Sequence, residues 1–187
     1  MKINYKQTIS ACFIGYIIQA IVNNFVPLLF VTFQKSYSIE LSKITVLITI
    51  NFVIQLCIDL ASAYFIDKIG YRASALIAHG CSAAGLILLT ILPELLPSAY
   101  AGIVISVIIY AIGGGLLEVL LSPIIEACPT GNKEKAMSLL HSFYCWGHMG
   151  VVLLSTAFFA IFGIENWKAL ALIWAAVPVF NGIFFTR

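Results

Sequence analysis

The chain has 187 residues, 61% of them hydrophobic and 10% charged, with a mean hydropathy of +1.04. A soluble domain is nearer to half apolar and a quarter charged, so this composition excludes one and indicates an integral membrane protein. The net charge of +2 offers no basic face for nucleic acid, and the five cysteines (Cys12, Cys57, Cys81, Cys128, Cys145) form neither a CxxC pair nor a disulfide framework.

Six apolar spans follow in order. The first covers about residues 8–33. It follows Lys2 and Lys6 like a signal peptide, yet Gln19, Asn23 and Asn24 interrupt it and no small-x-small cleavage site follows, so it reads as a retained helix. Cys12, Tyr16, Gln19 and Asn23 make one stripe at helical spacing, and Pro27 is positioned to kink the helix. The second span, about 43–66, has Ser42 as its expected cap. It carries Asn51, Gln55 and Asp59 one turn apart, with Ser62 near the same meridian. Such a stripe avoids lipid, and either glues helices or lines a cavity.

After a very short turn the third span, about 73–92, is rich in Ala, Gly and Ser and holds His79 and Cys81. Small residues of this kind let helices pack closely. The fourth span, about 98–125, contains Glu118. At 100° per residue Ala111, Gly114, Gly115 and Ser122 share the face of Glu118 within an arc of about 100°. The acid therefore stands on a small-residue face, where a ligand or another backbone can approach. A carboxylate in lipid is costly, should face a bundle interior or water, and marks a functional site by default; the plain alternative is an acid satisfied by a neighbouring helix.

The fifth span, about 133–163, begins with the solvated Lys133, Glu134 and Lys135. Met137, His141, Cys145, His148, Val152 and Ser155 share one of its faces. The sixth covers about 167–185. Counting Lys and Arg at the span ends gives seven on one side (Lys2, Lys6, Lys68, Arg72, Lys133, Lys135, Arg187) and three on the other (Lys35, Lys43, Lys168). This predicts a multi-pass protein of the cell (inner) membrane with both termini cytoplasmic.

The turn at 65–77 and the turn at 162–173 share a pattern: an acid, a short gap, an aromatic near a base, then a small or aliphatic run. They fall on opposite membrane faces. That is the arrangement of a three-plus-three inverted repeat, a common transporter design.

Asp67-Lys68-Ile69-Gly70-Tyr71-Arg72 resembles the loop between helices two and three of the major facilitator superfamily, with Asp67, Lys68, Gly70 and Arg72 matching its motif. Ala63 stands where the motif has its leading glycine, and Tyr71 where it has a first base. Glu118 followed five residues later by Pro123 is similar to the fourth helix of the fucose-permease-like branch. Leu140-His141-Ser142-Phe143-Tyr144-Cys145-Trp146-Gly147 resembles the fifth helix of related bacterial transporters. The resemblance implies an all-α fold equal to the amino-terminal six-helix half of a transporter that usually has two such halves. It also implies a gating role for Asp67, Gly70 and Arg72, and a small polar solute such as a sugar, with or without a coupled proton. Sugar members of that branch carry an acid in the first helix, where this chain has only Gln19, Asn23 and Asn24; this puts proton coupling in doubt.

His141 and His148 lie two turns apart, roughly 10 Å along the axis, too far to share one ion unaided, so no metal and no cofactor is expected. Tyr144 and Trp146 suit a sugar face but more often pack. No nucleophile elbow or metalloprotease motif points to an enzyme. The expected function is transport by alternating access, with Glu118, Gln19, Asn23, Gln55, His141 and His148 as solute or proton-site candidates. The second half would come from a homodimer or another chain; the alternative is a truncated, non-transporting fragment or a structural membrane subunit.

Overall fold

The computed structural model describes residues 5–129 and 131–186, and every regular element among them is helical. The helices are α1 (Tyr5–Leu28), α2 (Phe30–Tyr37), α3 (Leu41–Ile69), α4 (Tyr71–Leu95), α5 (Ala99–Ala127), α6 (Lys133–Phe162) and α7 (Trp167–Thr186), with a 3-10 turn at Ile164–Asn166 before the last. All but α2 are long and apolar enough to cross a membrane. Lys2 and Arg187, used in the charge count, lie outside the described residues.

The expected single first span is broken in two. Proline has no N–H to give the carbonyl four residues back, so Pro27 weakens the helix around Asn23. The chain leaves helical geometry at Leu29 (φ −97°, ψ 2°), whose N–H takes the tighter bond to the Val26 carbonyl at 2.9 Å. Ser42 is not the cap of the next helix either. That helix starts earlier, after Glu40 in extended conformation, and the Ser42 hydroxyl turns to the Glu40 carboxylate at 3.4 Å.

Two glycines that end helices are twins. Gly70 (φ 89°, ψ 148°) ends α3 and Gly163 (φ 85°, ψ 150°) ends α6, each donating its N–H to the carbonyl four residues back, on Ile66 and Phe159. That backbone region is essentially reserved for glycine. In an inverted repeat of α1-α3-α4 and α5-α6-α7 these turns are equivalent positions. The packing has the same symmetry: α6 lies on α1 as α3 lies on α5, so each repeat's second helix crosses to the first helix of the other.

Small residues set these crossings. On the α4–α5 seam a Cβ at Gly85 would meet the Tyr110 Cβ at 2.6 Å, and one at Gly102 the Leu92 carbonyl at 2.6 Å. On the α3–α5 crossing a Cβ at Gly115 would meet the Gln55 Cα at 3.0 Å; on α1–α6 one at Gly147 would meet the Ala20 Cβ at 3.2 Å. The core is Ile21, Phe25, Leu86, Leu89, Ile103 and Tyr110 in one half of the bundle and Ile18, Leu117, Leu120 and Leu121 in the other. α1, α4 and α5 hold most of it, while α3 and α6 are the least buried spans.

At the end of the bundle near Gly163, Lys168 of α7 pairs with Glu94 of α4. Both are partly exposed, so Lys168→Ala should lower stability by no more than about 1 kcal/mol. Thermal unfolding of the purified variant checks this.

Candidate functional site

α1 and α5 run antiparallel, as the first and fourth spans of an alternating bundle must. Gly15 lies under Leu121 and Gly114 under Val22, so the two helices approach closely along this line. The register sets Gln19 opposite Glu118 and Tyr16 opposite Ser122. Gln19 Nε2 donates to Glu118 Oε2 at 2.8 Å, and the Tyr16 and Ser122 hydroxyls meet at 3.4 Å. Gln19 is 1% exposed, and its Oε1 has no partner among the described residues. Glu118 itself is exposed. Its small-residue face is filled by the α3 backbone at Gly115, and the carboxylate emerges beside that crossing on the side not covered by helices.

The polar stripe of α3 divides its work. Asn51 Nδ2 and Gln55 Nε2 donate to Asn23 Oδ1 at 3.0 and 2.8 Å, and Gln55 Nε2 also reaches Asn51 Oδ1 at 3.1 Å. These three amides fasten α3 to α1. One turn further on, Asp59 is half-buried and its Oδ1 has no partner among the described residues. The glue thus stops one turn short of Asp59 on this helix.

The other flank is α6. Asn24 Nδ2 donates to the Ala20 carbonyl at 2.7 Å and to His148 Nδ1 at 2.8 Å. An amide nitrogen only donates, so His148 Nδ1 accepts and Nε2 carries the proton. The ring is neutral in this arrangement, and its Nε2 is buried without a partner among the described residues. Tyr144 stands edge-on to His148 with centroids 4.3 Å apart and to Tyr16 at 5.4 Å. His141 is exposed at the rim, 6.0 Å from the Tyr16 ring. Tyr144 therefore packs, but Trp146 does not: it is 73% exposed and turns away from the helices. Cys57 and Cys145 are also exposed, not packed. Among the described residues no three His, Cys, Asp or Glu side chains are grouped to hold a metal ion.

A sequence model of the Major Facilitator Superfamily matches residues 12–187. The chain belongs to this superfamily. No curated protein matches it. As a major facilitator chain it is a multi-pass membrane protein, of a family whose members move solutes across the membrane.

In this major facilitator chain the turn expected to gate is the Gly70 twin turn. Asp67 lies exposed in the last turn of α3, and Arg72 opens α4 with its Nε donating to the Phe185 carbonyl of α7 at 2.8 Å. Arg72 thus supplies a donor to an otherwise free carbonyl near a helix end.

Two polar contacts escaped the sequence reading. One is the Asn24–His148 bond. The other joins three helices: His79 Nδ1 donates to the Ala75 carbonyl at 2.7 Å, and its Nε2 accepts from Asn181 Nδ2 at 2.8 Å, which also donates to the Ala11 carbonyl at 3.0 Å. The available signal was a lone amide, Asn181, in an apolar span, which must find a partner in lipid.

Proposed function

We propose that the chain is the amino-terminal half of a secondary transporter of the fucose-permease-like branch, with Glu118 as its solute or proton site. The observation that carries this is the position of Glu118: a carboxylate in the middle of a membrane helix, exposed on this six-helix unit and held on one oxygen by a buried glutamine. An acid so placed does not face lipid; it faces a cavity that a second six-helix unit closes. α3 and α6, the flanking and least buried spans, present the surfaces on which that unit sits. Rocking of this unit against the second one exposes Glu118 to each side in turn, with the Asp67–Gly70–Arg72 turn gating the cytoplasmic side. The solute is small and polar; the branch resemblance favours a sugar. Both termini face the cytoplasm across the cell membrane, as the distribution of Lys and Arg supports.

Two measurements test the reading. Crosslinking in intact membranes through Trp146→Cys in a background lacking the native cysteines should join α6 to the second six-helix unit. Uptake by cells expressing Glu118→Gln should fall at least about tenfold with wild-type membrane levels, since the amide keeps the shape and loses the charge. Unchanged uptake and unchanged pH dependence in Glu118→Gln would remove Glu118 from the site.

A further inference from the structure

The face of α1 opposite Glu118 carries a groove. At 100° per residue Ser10 and Ile14 stand on the other side of the helix from Gln19 and Asn23, which reach α5 and α3. On this far side α1 has α6 to one hand, where Phe13 stacks on Phe143 with ring centroids 4.8 Å apart. It has α7 to the other, where Asn181 Nδ2 donates to the Ala11 carbonyl at 3.0 Å. α6 and α7 hardly touch each other among the described residues, so α1 shows between them. A second six-helix unit seated over Glu118 leaves this face to lipid. Along the α1–α7 seam runs a groove of about 180 Å³, lined by Lys6, Gln7, Ser10, Ala11, Ile14 and Phe184.

The lining changes character with depth. Lys6, Gln7 and Ser10 are polar, exposed and within the first two turns of α1. Ala11 is buried, Ile14 is half-buried, and Phe184, 48% exposed, forms the outer wall. From Lys6 to Ile14 is about 12 Å along the axis at about 1.5 Å per residue. The groove thus passes from a cation at the helix end to apolar walls at the depth of the acyl chains. The one ion pair among the described residues joins Lys168 to Glu94, so Lys6 has no carboxylate partner among them. Arg72 is exposed at the same end of the bundle and uses its Nε on the Phe185 carbonyl, one residue beyond Phe184. Pockets that enclose a whole small molecule begin at about 300 Å³, so this smaller groove suits one part of a longer amphiphile. Free phosphate would pair with Lys6 and leave the apolar walls without a role. A lipid without net charge would fill the walls and leave the lysine without a counterion. A larger groove at the same end, about 340 Å³ beside Tyr5, Tyr71 and Pro123, has no charged residue in its lining and lacks this order.

We infer that the α1–α7 groove binds an anionic phospholipid of the leaflet at that end, its headgroup on Lys6, Gln7 and Ser10 and the start of one acyl chain along Ala11 and Ile14 against Phe184. Basic pockets between membrane helices hold acidic headgroups in this way. The site is apart from Glu118 and does not depend on what binds there.

Native mass spectrometry of the full chain in detergent tests this with three probes: dioleoyl phosphatidylglycerol, dioleoyl phosphatidylcholine and inorganic phosphate. The first phosphatidylglycerol should bind about fivefold more tightly than phosphatidylcholine, and Lys6→Gln should abolish the preference, since one lysine beside anionic lipid is worth about that factor. Ser10→Trp, which fills the groove and keeps Lys6, should weaken phosphatidylglycerol by about as much. Lys133→Gln with Lys135→Gln, at the same end on α6, should leave the preference in place. An unchanged unfolding midpoint in phosphatidylcholine shows that each variant is folded. Equal affinity of the wild-type chain for the two lipids would overturn the inference without any variant. A preference lost as fully in the α6 variant as in Lys6→Gln would make it the attraction of a whole basic face and overturn it too. Inorganic phosphate displacing the lipid, with Ser10→Trp having no effect, would leave an anion site on Lys6 and no lipid groove.

Discussion

Gly113→Leu should prevent the chain from accumulating in membranes as a folded bundle. α4 and α5 form the tightest hairpin of the structure, and Gly113 lies at its centre. A Cβ there would come within 2.6 Å of both the Ala78 carbonyl oxygen and the Ser82 backbone nitrogen, and would collide with the Ser82 hydroxyl, which donates to that same carbonyl at 2.9 Å. Backbone atoms inside a helix cannot swing aside, so the whole seam must open. Overpacking by a few carbons costs about 1–3 kcal/mol where side chains can yield, and more where they cannot. A loss beyond about 3 kcal/mol is a large part of an ordinary domain's stability. Gly80, one helical turn or less from Ala78 and Ser82, is the control: a Cβ there meets nothing within 4 Å. Gly80→Leu should leave the unfolding midpoint in place. Size-exclusion of fluorescently tagged variants separates the two, and a monodisperse Gly113→Leu peak with the wild-type midpoint would refute the close seam.

Asn181→Leu should destabilise the protein by about 1–2 kcal/mol, within the span of measured costs for stranding a buried partner and for polar contacts inside membranes. Its amide proton donors serve both His79 and the Ala11 carbonyl, so one substitution strands groups on two helices. The double variant His79→Leu with Asn181→Leu should recover part of the loss, because removing both partners leaves one fewer unpaired group than removing one. Thermal unfolding in detergent gives both numbers. Additive losses in the double variant would mean that His79 and Asn181 act independently.

The architecture was legible because membrane spans are written in composition. Twenty apolar residues between charged turns leave few alternatives, so six helices and their alternation followed directly. The Gly70 turn was legible for a similar reason: one glycine between two spans has to take up the backbone conformation that other residues avoid. The break at Leu29 was not, because Pro27 marks a weak point without saying whether the helix bends or stops. Pairings between spans were the least legible. The stripe of Asn51, Gln55 and Asp59 was plain on one helix, but only the placement of α3 beside α1 shows two of its members holding Asn23 and the Oδ1 of the third without a donor among the described residues. Gln19 looked like a cavity residue. It reaches Glu118 because the glycines at 15 and 114 draw α1 and α5 together, and sequence spacing within either helix does not contain that distance. His79 and Asn181 lie about a hundred residues apart and announce themselves only as isolated polar side chains.

The helices differ in length, and the difference bears on the lipid that surrounds them. α7 has 20 residues, whereas α3 has 29 and α6 has 30. At about 1.5 Å per residue that is about 30 Å against about 45 Å, beside a hydrocarbon layer of about 30 Å. A bilayer that suits α7 leaves α3 and α6 to lean or to project their ends into the headgroups. These two spans also flank Glu118. The overhanging ends are the charged ones, Asp67 and Lys68 of α3 and Lys133, Glu134 and Lys135 of α6, so the extra length of the two walls around the acid stands among the headgroups and leaves the acyl layer to their apolar turns.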